Sequence, residues 1–185
     1  MERKDKSDDI SISKTIKVLC LGDGAVGKTS LIRRFAHNKF EKSYLETLGV
    51  DITDKIVSVK NEQETRNLKM VIWDIAGQDR YRNYRAAFYQ GTDALIVVAD
   101  VTNPTTFDNL QTWKNEMDQF LGIKLPTIFL ANKCDLKDQR KIMNNAVLQV
   151  GKLLNLSSNQ IFETSALEGT NVDKAFDKLA NLSIG

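Results

Sequence analysis

The chain has 185 residues, 42% of them hydrophobic and 27% charged, which fits one globular domain and excludes a disordered or fibrous protein. Its net charge of +2, from 26 basic and 24 acidic residues, gives no electrostatic basis for dedicated binding of nucleic acid or of a membrane surface. Cys20 and Cys134 lie far apart and cannot form a zinc site with the one histidine, so we expect a reduced, cytoplasmic setting.

The predicted elements alternate between strands and helices, and no apolar run is long enough to span a bilayer. Residues 1–13 mix charges and serines, which predicts a flexible N-terminus ahead of one domain over 14–185. Apolar runs predict strands at 15–21, 51–59, 68–74, 93–99, 127–131 and 161–163. Helical spacing predicts helices over 28–36, 104–120, 140–155 and from residue 172 onward. This alternation indicates an α/β fold with a mostly parallel sheet covered on both faces.

Two details of this pattern are specific enough to test. The stretch 61–66 between the second and third strands is short and polar, which predicts an antiparallel hairpin. In the helix over 104–120, four apolar side chains are expected to share the buried face: Phe107, Leu110, Met117 and Phe120.

The first strand leads into a phosphate-binding motif of the form GxxxxGK[ST], Gly22-Asp23-Gly24-Ala25-Val26-Gly27-Lys28-Thr29. Glycines in such a loop let backbone N–H groups surround phosphate oxygens, and the following helix offers its positive N-terminal end. Lys28 would reach the β- and γ-phosphates, and the Thr29 hydroxyl would bind Mg²⁺. The motif predicts a nucleoside triphosphate site, but it does not fix the base or the reaction.

The segment Asp74-Ile75-Ala76-Gly77-Gln78 follows the third strand and could serve the phosphate end of such a site. The Asp74 carboxylate could hold a water on Mg²⁺, the Gly77 N–H could meet the γ-phosphate, and Gln78 could orient an attacking water. The Thr47 hydroxyl, in the loop after the first helix, could also ligate the metal. Taken alone, an aspartate followed by glycine is a common turn, and Thr47 is an ordinary loop residue.

The segment Asn132-Lys133-Cys134-Asp135 follows the fifth strand and indicates recognition of guanine. An aspartate can accept hydrogen bonds from the guanine N1–H and 2-amino group, whereas adenine would leave a buried carboxylate unpaired. Lys133 can lie along the base, and Asn132 can tie loops together. Ser165-Ala166-Leu167, after the last strand, could add a backbone N–H to the guanine oxygen.

These five segments, in this order, resemble the Ras-like small GTPases over about residues 14–182. The chain is most similar to the Rab group in four strings: Leu48–Ile52, Lys69–Asp74, Phe88–Gly91 and Asp100–Asn103. The resemblance implies a three-layer P-loop NTPase fold, with a six-stranded mostly parallel sheet, one antiparallel edge strand and about five helices. It also implies a molecular switch that binds GTP or GDP with Mg²⁺, hydrolyses GTP slowly and regulates trafficking or membrane-associated processes.

The resemblance assigns roles to individual residues. Catalysis would involve Gln78, Lys28 and Gly77. Phe40 would pack on the guanine edge, and Tyr44 would close over the phosphates. The nucleotide would be contacted by a larger set drawn from the five segments and their neighbours: Asp23, Gly24, Ala25, Val26, Gly27, Lys28, Thr29, Ser30, Phe40, Tyr44, Thr47, Gly77, Asn132, Lys133, Asp135, Ser165, Ala166 and Leu167.

The resemblance further implies two switch segments, at 39–49 and 75–89, which GTP orders and hydrolysis loosens. An exchange factor, an activating protein and effectors would bind there, and effectors would read Ile52, Trp73 and Phe88. The alternation of the third strand places Trp73 on the face opposite its buried neighbours. We expect a monomer in the cytoplasm, with no nucleic-acid partner.

The chain shows no arginine over 37–50 and no cysteines after its last helix. The first feature predicts slow intrinsic hydrolysis that an arginine from an activating protein accelerates. The second implies that this chain carries no prenyl anchor. Membrane recruitment would then proceed only through partners unless a tail was removed, in a trimmed chain or in a tail-less relative such as those of prokaryotes.

Two other functions stay open at this point. Ile75 stands where the family usually has threonine, and Asp79 where it has glutamate, so a GTP-binding interaction module with little turnover is one alternative. An ATP-dependent enzyme such as a small kinase is the other. Asp135 and the lack of an inserted lid or second substrate domain argue against it.

Overall fold

The computed structural model describes residues 11–41, 47–60, 64–78 and 82–184. Within these ranges six strands form one sheet in the order β2-β3-β1-β4-β5-β6. The strands are β1 (Lys14–Leu21), β2 (Val50–Lys60), β3 (Thr65–Ile75), β4 (Ala94–Asp100), β5 (Thr127–Asn132) and β6 (Ile161–Thr164). β2 runs antiparallel to β3, and every other neighbouring pair is parallel. The predicted hairpin and the single antiparallel edge strand are therefore confirmed.

Helices cover both faces of this sheet. They are α1 (Lys28–His37), α2 (Arg82–Tyr89), α3 (Thr105–Asp108), α4 (Leu110–Leu121), α5 (Asn144–Leu154) and α6 (Val172–Ile184). In the part of the chain that the structure describes, no helix is both long and apolar enough to cross a membrane. The three layers match the predicted P-loop NTPase fold class.

The sheet separates two hydrophobic cores, and β1 contributes alternate side chains to each. Val18 and Cys20 pack with α1 and α6, while Leu19 and Leu21 pack with α2, α4 and α5. All residues of β4 and β5 are buried, because these central strands have helices on both faces. Because all strands but β2 run parallel, their carboxyl ends meet at one edge of the sheet. Binding sites form at this edge in open α/β sheets.

Helix α1 connects this edge to the first core. It begins after Gly27, whose φ of +98° lies in the left-handed region, and it ends at the left-handed Asn38. Its buried Phe35 stacks on Phe176 of α6, with ring centroids 3.9 Å apart. Burial of such a ring contributes roughly 1.5–3 kcal/mol, which anchors α1 to α6 and fixes where its N-terminus lies.

The predicted helix over 104–120 is wrong in two respects. Asn109 divides it into α3 and α4, and the Asn109 side chain donates a hydrogen bond to the Asp23 carboxylate of the phosphate-binding loop. Phe120 is 40% exposed, whereas Trp113 is 4% exposed and fills the core. Asn109 and Trp113 both donate hydrogen bonds to Asp23, in a loop distant in sequence, and helical periodicity carries no information about such contacts.

Two further boundaries differ from the prediction. Helix α5 begins at Asn144 instead of residue 140, because Arg140 is extended and its guanidinium is held by both carboxylate oxygens of Glu163. Helix α2 was not predicted as a separate element. It packs Tyr89 into the second core.

Candidate functional site

A cavity of about 280 Å³ opens at the carboxyl edge of the sheet. It brings together residues from all five predicted segments: Gly24, Ala25, Gly27, Lys28, Thr29, Ser30, Phe40, Thr47, Gly77, Gln78, Asn132, Lys133, Asp135, Ala166 and Leu167. Four lining residues were not predicted: Arg33, Glu41, Ala76 and Leu136. Tyr44 lies outside the described residues. The segments converge because β1, β3, β5 and β6 all end at this edge.

The phosphate-binding loop encloses the Lys28 ammonium. Lys28 is 6% exposed, and its Nζ donates to the carbonyl oxygens of Gly22 at 2.7 Å and Asp23 at 2.8 Å. Burial lowers the pKa of Lys28, while the nearby Asp74 carboxylate opposes that shift. A Cβ at Gly27 would lie 2.4 Å from the Asn132 amide nitrogen, so this turn tolerates no side chain. The loop thus holds a buried cation at the floor of the cavity.

Two residues of this loop keep their side chains away from the cavity. The Asp23 carboxylate accepts hydrogen bonds from Asn109 Nδ2 at 2.7 Å and from Trp113 Nε1 at 2.8 Å. Val26 is fully buried in the core beside α1 and α6. Any contact that Asp23 and Val26 make with a ligand therefore involves their backbone.

Three oxygen-bearing side chains meet beside Lys28. The Thr29 and Thr47 hydroxyls lie 2.9 Å apart, and the Thr29 hydroxyl donates to Asp74 Oδ2. Asp74 is 2% exposed, and its Oδ1 has no hydrogen-bond partner among the described residues. Burial raises the pKa of Asp74, and Lys28 and the two hydroxyls oppose this shift. A buried carboxylate oxygen left unpaired next to two hydroxyls suits a hard cation such as Mg²⁺.

A competing metal site is not found elsewhere in the described part of the chain. Over the described ranges, no group of three or more histidine, cysteine, aspartate or glutamate side chains could hold a metal ion. An ion bound at Thr29, Thr47 and Asp74 would have to complete its coordination with water and ligand phosphate oxygens, as Mg²⁺ commonly does. The donor set therefore fits Mg²⁺ bound together with a nucleotide.

The segment after β3 approaches the phosphate-binding loop very closely. A Cβ at Gly77 would lie 2.2 Å from the Gly22 carbonyl oxygen, so only glycine fits there. Gln78 lies against Gly24, since a Cβ at Gly24 would be 3.3 Å from Gln78 Cγ. The backbone carbonyl of Gln78 accepts a hydrogen bond from Arg85 Nη1 at 3.1 Å. The side-chain oxygen of Gln78, Oε1, has no partner in the described part of the chain. Gln78 thus lies against the phosphate-binding loop, and its side-chain oxygen is buried without a partner among the described residues.

The loop after β5 forms the opposite end of the cavity. Asn132 is 1% exposed, and its amide nitrogen donates to the Val26 carbonyl at 2.9 Å, which ties the loops together as predicted. Lys133 has a φ of +69° and pairs with Asp100 at 2.6 Å. Asp135 is half-buried and lines the cavity. Asp100 was not predicted as a site residue. It is the last residue of β4, and Asp74 is the last but one of β3, so both carboxylates lie at the same edge of the sheet.

The loop after β6 closes this end. Ser165 is fully buried, and its hydroxyl accepts a hydrogen bond from the Glu168 N–H at 3.0 Å instead of facing the cavity. The carbonyls of Ala166 and Leu167 accept hydrogen bonds from Arg34 of α1. Arg34 was not predicted as a site residue, because nothing local in the sequence links it to a loop more than a hundred residues away.

An apolar surface, the Trp73 surface (Ile52, Trp73 and Phe88), lies on the outer part of the sheet. Ile52 pairs directly with Trp73 across β2 and β3, so the two side chains share one face. Ile52 is 51% exposed, and the Trp73 and Phe88 rings lie 5.9 Å apart. Leu68, Met70 and Ile72 pack on the other face, which confirms the predicted orientation of Trp73.

Comparison with known proteins adds an independent finding. The model of the Ras family matches residues 17–184. The Ras-related protein Rab-13 of Canis lupus familiaris is 37% identical over 164 residues, covering 89% of this chain and 77% of the relative. The Ras-related protein Rab-1C of Dictyostelium discoideum is 36% identical, covering 90% of this chain and 79% of the relative. The Ras-related protein Rab-3C of Bos taurus is 34% identical, covering 97% and 76%.

Fold, cavity and relatives agree with one another. The match covers nearly all of the domain that carries the cavity, and Rab proteins recur among the relatives. We conclude that this chain belongs to the Ras family, and that it is a Rab-like small GTPase, an enzyme that hydrolyses GTP to GDP and phosphate.

Proposed function

We propose that the cavity binds GTP and GDP together with Mg²⁺, and that the protein is a Rab-like switch with slow intrinsic hydrolysis. The observation that carries the proposal is the convergence in one cavity of three features: the buried Lys28, the oxygen cluster around Asp74, and the half-buried Asp135. They supply, in order, a cation for phosphate, ligands for Mg²⁺, and an acceptor for guanine.

At the phosphate end, backbone N–H groups from Gly24 to Lys28 would surround the β-phosphate, and the N-terminus of α1 would add its partial positive charge. The Lys28 ammonium already donates to two loop carbonyls and would donate to a phosphate oxygen as well, since an ammonium has three donors. Ser30, which lines the cavity one residue into the helix, would contact the phosphates from the same side.

Thr29 and Thr47 would ligate Mg²⁺ directly, and Asp74 would hold one of its waters. The ion supplies charge neutralisation and fixes the phosphate geometry. For the protein, the consequence is a change in the oxygen cluster. The hydrogen bonds that now join Thr29, Thr47 and Asp74 would be exchanged for ion contacts, so the ion and nucleotide would take over the position of Thr47 from its protein partners.

Hydrolysis would depend on position more than on covalent chemistry. Gln78, which lines the cavity, would orient the attacking water, and the Gly77 N–H would donate to the γ-phosphate. No arginine lies in 37–50, and Arg33, which lines the cavity, is paired with Glu41. An activating protein that donates an arginine would therefore accelerate the reaction by about 10³–10⁵, a range taken from small GTPases themselves.

At the base end, Asp135 would accept hydrogen bonds from the guanine N1–H and 2-amino group. The Lys133 stem, held in place by the ion pair with Asp100, would cover one face of the base. Phe40 would pack on the base edge, and Leu167 would make an apolar contact. A backbone N–H of the Ala166 loop would reach the guanine oxygen.

Partners would bind the two switch segments, 39–49 and 75–89, of which 42–46 and 79–81 lie outside the described residues. An exchange factor, an arginine-donating activating protein and effectors are the expected classes, and the Trp73 surface would be read by effectors. Rab-named relatives support a role in membrane trafficking. We expect a cytoplasmic monomer that partners recruit to membranes.

The alternative of a GTP-binding interaction module with little turnover is less well supported. It was motivated by Ile75 and by Asp79, which lies outside the described residues. The Ile75 side chain is 1% exposed and packs in the core beside α2, away from the cavity. The substitution at Ile75 therefore leaves the cavity lining intact. An ATP-dependent enzyme is also disfavoured, because adenine would leave the Asp135 carboxylate unpaired.

Denaturing the purified protein and identifying the released nucleotide by ion-exchange chromatography tests the proposal first. Guanine nucleotide at close to one per chain supports it, whereas adenine nucleotide overturns the assignment of Asp135. Single-turnover GTP hydrolysis, with and without Mg²⁺, then tests the mechanism. Fast hydrolysis without any partner would contradict the predicted need for an external arginine, and hydrolysis independent of Mg²⁺ would contradict the metal assignment.

A further inference from the structure

Arg34, in the middle of α1, is bonded to the loop at the base end of the cavity. Its Nε donates to the Ala166 carbonyl at 2.9 Å and its Nη2 to the Leu167 carbonyl at 2.7 Å. Its remaining nitrogen, Nη1, donates to the Asn38 carbonyl at 3.2 Å and the Asn38 side-chain oxygen at 3.0 Å. Every nitrogen of the guanidinium therefore has a protein acceptor.

We propose that Arg34 is a positioning residue for base recognition: it orients the Ala166–Leu167 backbone so that its N–H groups face the 6-oxygen of guanine. The inference deepens the proposed function and depends on the cavity being a guanine site. Arg34 itself does not line the cavity. Its effect on the ligand would pass through the peptide groups that it holds.

The planarity of the peptide bond supplies the first step. In a trans peptide the carbonyl and the N–H of the following residue point in opposite directions. Because the Ala166 carbonyl points to Arg34, the Leu167 N–H of the same peptide group points away from Arg34. The Ser165 carbonyl is held in a similar way by the Gly169 N–H at 2.8 Å, which fixes the peptide that carries the Ala166 N–H.

The second step is that these N–H groups are available to a ligand. Over the described ranges, neither the Ala166 nor the Leu167 N–H has an acceptor in the protein, and both residues line the cavity. The neighbouring Ser165, Glu168 and Gly169 N–H groups, in contrast, are all bonded within the loop. The loop therefore leaves its donors free only where it lines the cavity.

The third step is that arginine suits this position better than lysine. Two successive carbonyls are bound by one rigid planar group, which a lysine ammonium on a flexible stem could not reproduce. Arg34 also lies on the helix that begins at Lys28, so the same rigid element carries the phosphate end of the cavity and the anchor of the base loop. The spacing between phosphate recognition and base recognition is thus set by the helix from Lys28 to Arg34, about 1.7 helical turns.

A double-mutant cycle, in which the protein residue and the ligand atom are changed separately and together, tests the proposal. Binding would be measured by equilibrium titration of wild type, Arg34→Lys and Arg34→Ala with three ligands. GDP has the 6-oxygen and the 2-amino group. IDP keeps the 6-oxygen and lacks the 2-amino group. In 6-thio-GDP a sulfur, which is a weaker acceptor, replaces the 6-oxygen. Arg66→Ala removes an arginine from the start of β3 and is the matched control.

We expect both Arg34 variants to lose affinity for GDP and IDP to a similar extent, on the order of tenfold, the effect of weakening one hydrogen bond. Affinity for 6-thio-GDP should change much less, by about twofold or under, because the contact at this position is already weak in wild type. Arg66→Ala should bind all three ligands as wild type does.

Several outcomes would overturn the inference. Equal losses for all three ligands would mean that Arg34 supports only the fold, and no loss for any ligand would mean that the loop keeps its position without Arg34. Thermal unfolding of each variant identifies a misfolded one. If Arg34→Ala fails to fold, Arg34→Lys, which keeps the charge and the stem, decides the question. If wild type binds none of the three ligands, the proposed guanine site fails, and that result is distinct from a failure of Arg34.

Discussion

Replacing Glu116 with alanine is expected to destabilise the protein strongly, because it leaves a buried guanidinium without its carboxylate. Arg85 of α2 and Glu116 of α4 are each 2% exposed, and they are joined by two hydrogen bonds of 2.9 Å. The Tyr89 hydroxyl donates to the same carboxylate at 3.1 Å. Burial and the Glu116 charge raise the pKa of Tyr89, so this hydroxyl stays a donor at any ordinary pH.

The magnitude follows from the burial of both partners. Removing one member of a buried ion pair costs about 3–5 kcal/mol, since the other charge is left desolvated and unpaired. For a domain of this size that loss corresponds to a fall in Tm of about 6–20 °C. The Arg85 guanidinium also lies 4.4 Å from the Trp113 ring centroid, a contact that remains and offsets only part of the loss.

Replacing Arg85, Tyr89 and Glu116 together should cost much less than replacing Glu116 alone. The triple variant Arg85→Met, Tyr89→Phe, Glu116→Leu replaces the buried polar groups with apolar side chains of similar volume, a change that is often neutral or stabilising. Urea unfolding at fixed GDP and Mg²⁺ measures both variants, because bound ligand adds equally to each. A loss below about 1 kcal/mol in Glu116→Ala, or a triple variant less stable than Glu116→Ala, would refute the reasoning.

Three further predictions concern the cavity and the thiols. Gln78→Leu should slow single-turnover GTP hydrolysis by roughly tenfold or more while leaving GTP affinity nearly unchanged, and unchanged hydrolysis would remove Gln78 from catalysis. Gly77→Ala should lower the free energy of unfolding by roughly 1–3 kcal/mol, because its Cβ would meet the Gly22 carbonyl oxygen at 2.2 Å; an unchanged urea midpoint would contradict that contact. Burial raises the pKa of both Cys20 and Cys134, so labelling by a thiol reagent should stay slow until alkaline pH. Only Cys134 should react in the native protein, and labelling of Cys20 before unfolding would contradict its burial.

The parts of the site that could be predicted from sequence are those in which a short segment carries both its backbone shape and its chemistry. The loop from Gly22 to Thr29 is such a segment, because its glycines fix the turn and its lysine and threonine follow at set positions. The strand alternation around Trp73 is another, since a period of two directly states which face each side chain occupies. In both cases neighbours in sequence are also neighbours in space.

The parts that could not be predicted are contacts between segments distant in sequence. Arg34 and Ala166 are 132 residues apart, and Arg85 and Glu116 are 31 apart. Neither pair leaves a periodic or local pattern, because the partner is chosen by the packing of whole helices. The break at Asn109 has the same origin: its side chain bonds Asp23, 86 residues away. A single sequence gives the two residues of such a pair but does not indicate that they are in contact.

Strand β1 contributes side chains to both hydrophobic cores, so substitutions and single-codon insertions within it are expected to have different effects on folding. Substitutions at Val18 or Cys20 disturb one core, and those at Leu19 or Leu21 disturb the other. Inserting or deleting one codon within the strand would turn every following side chain to the opposite face of the sheet. It would also shift Gly22 out of its position in the loop. A point substitution in β1 should therefore disturb one core, whereas single-codon insertions and deletions disturb both and should be absent from any library selected for folding.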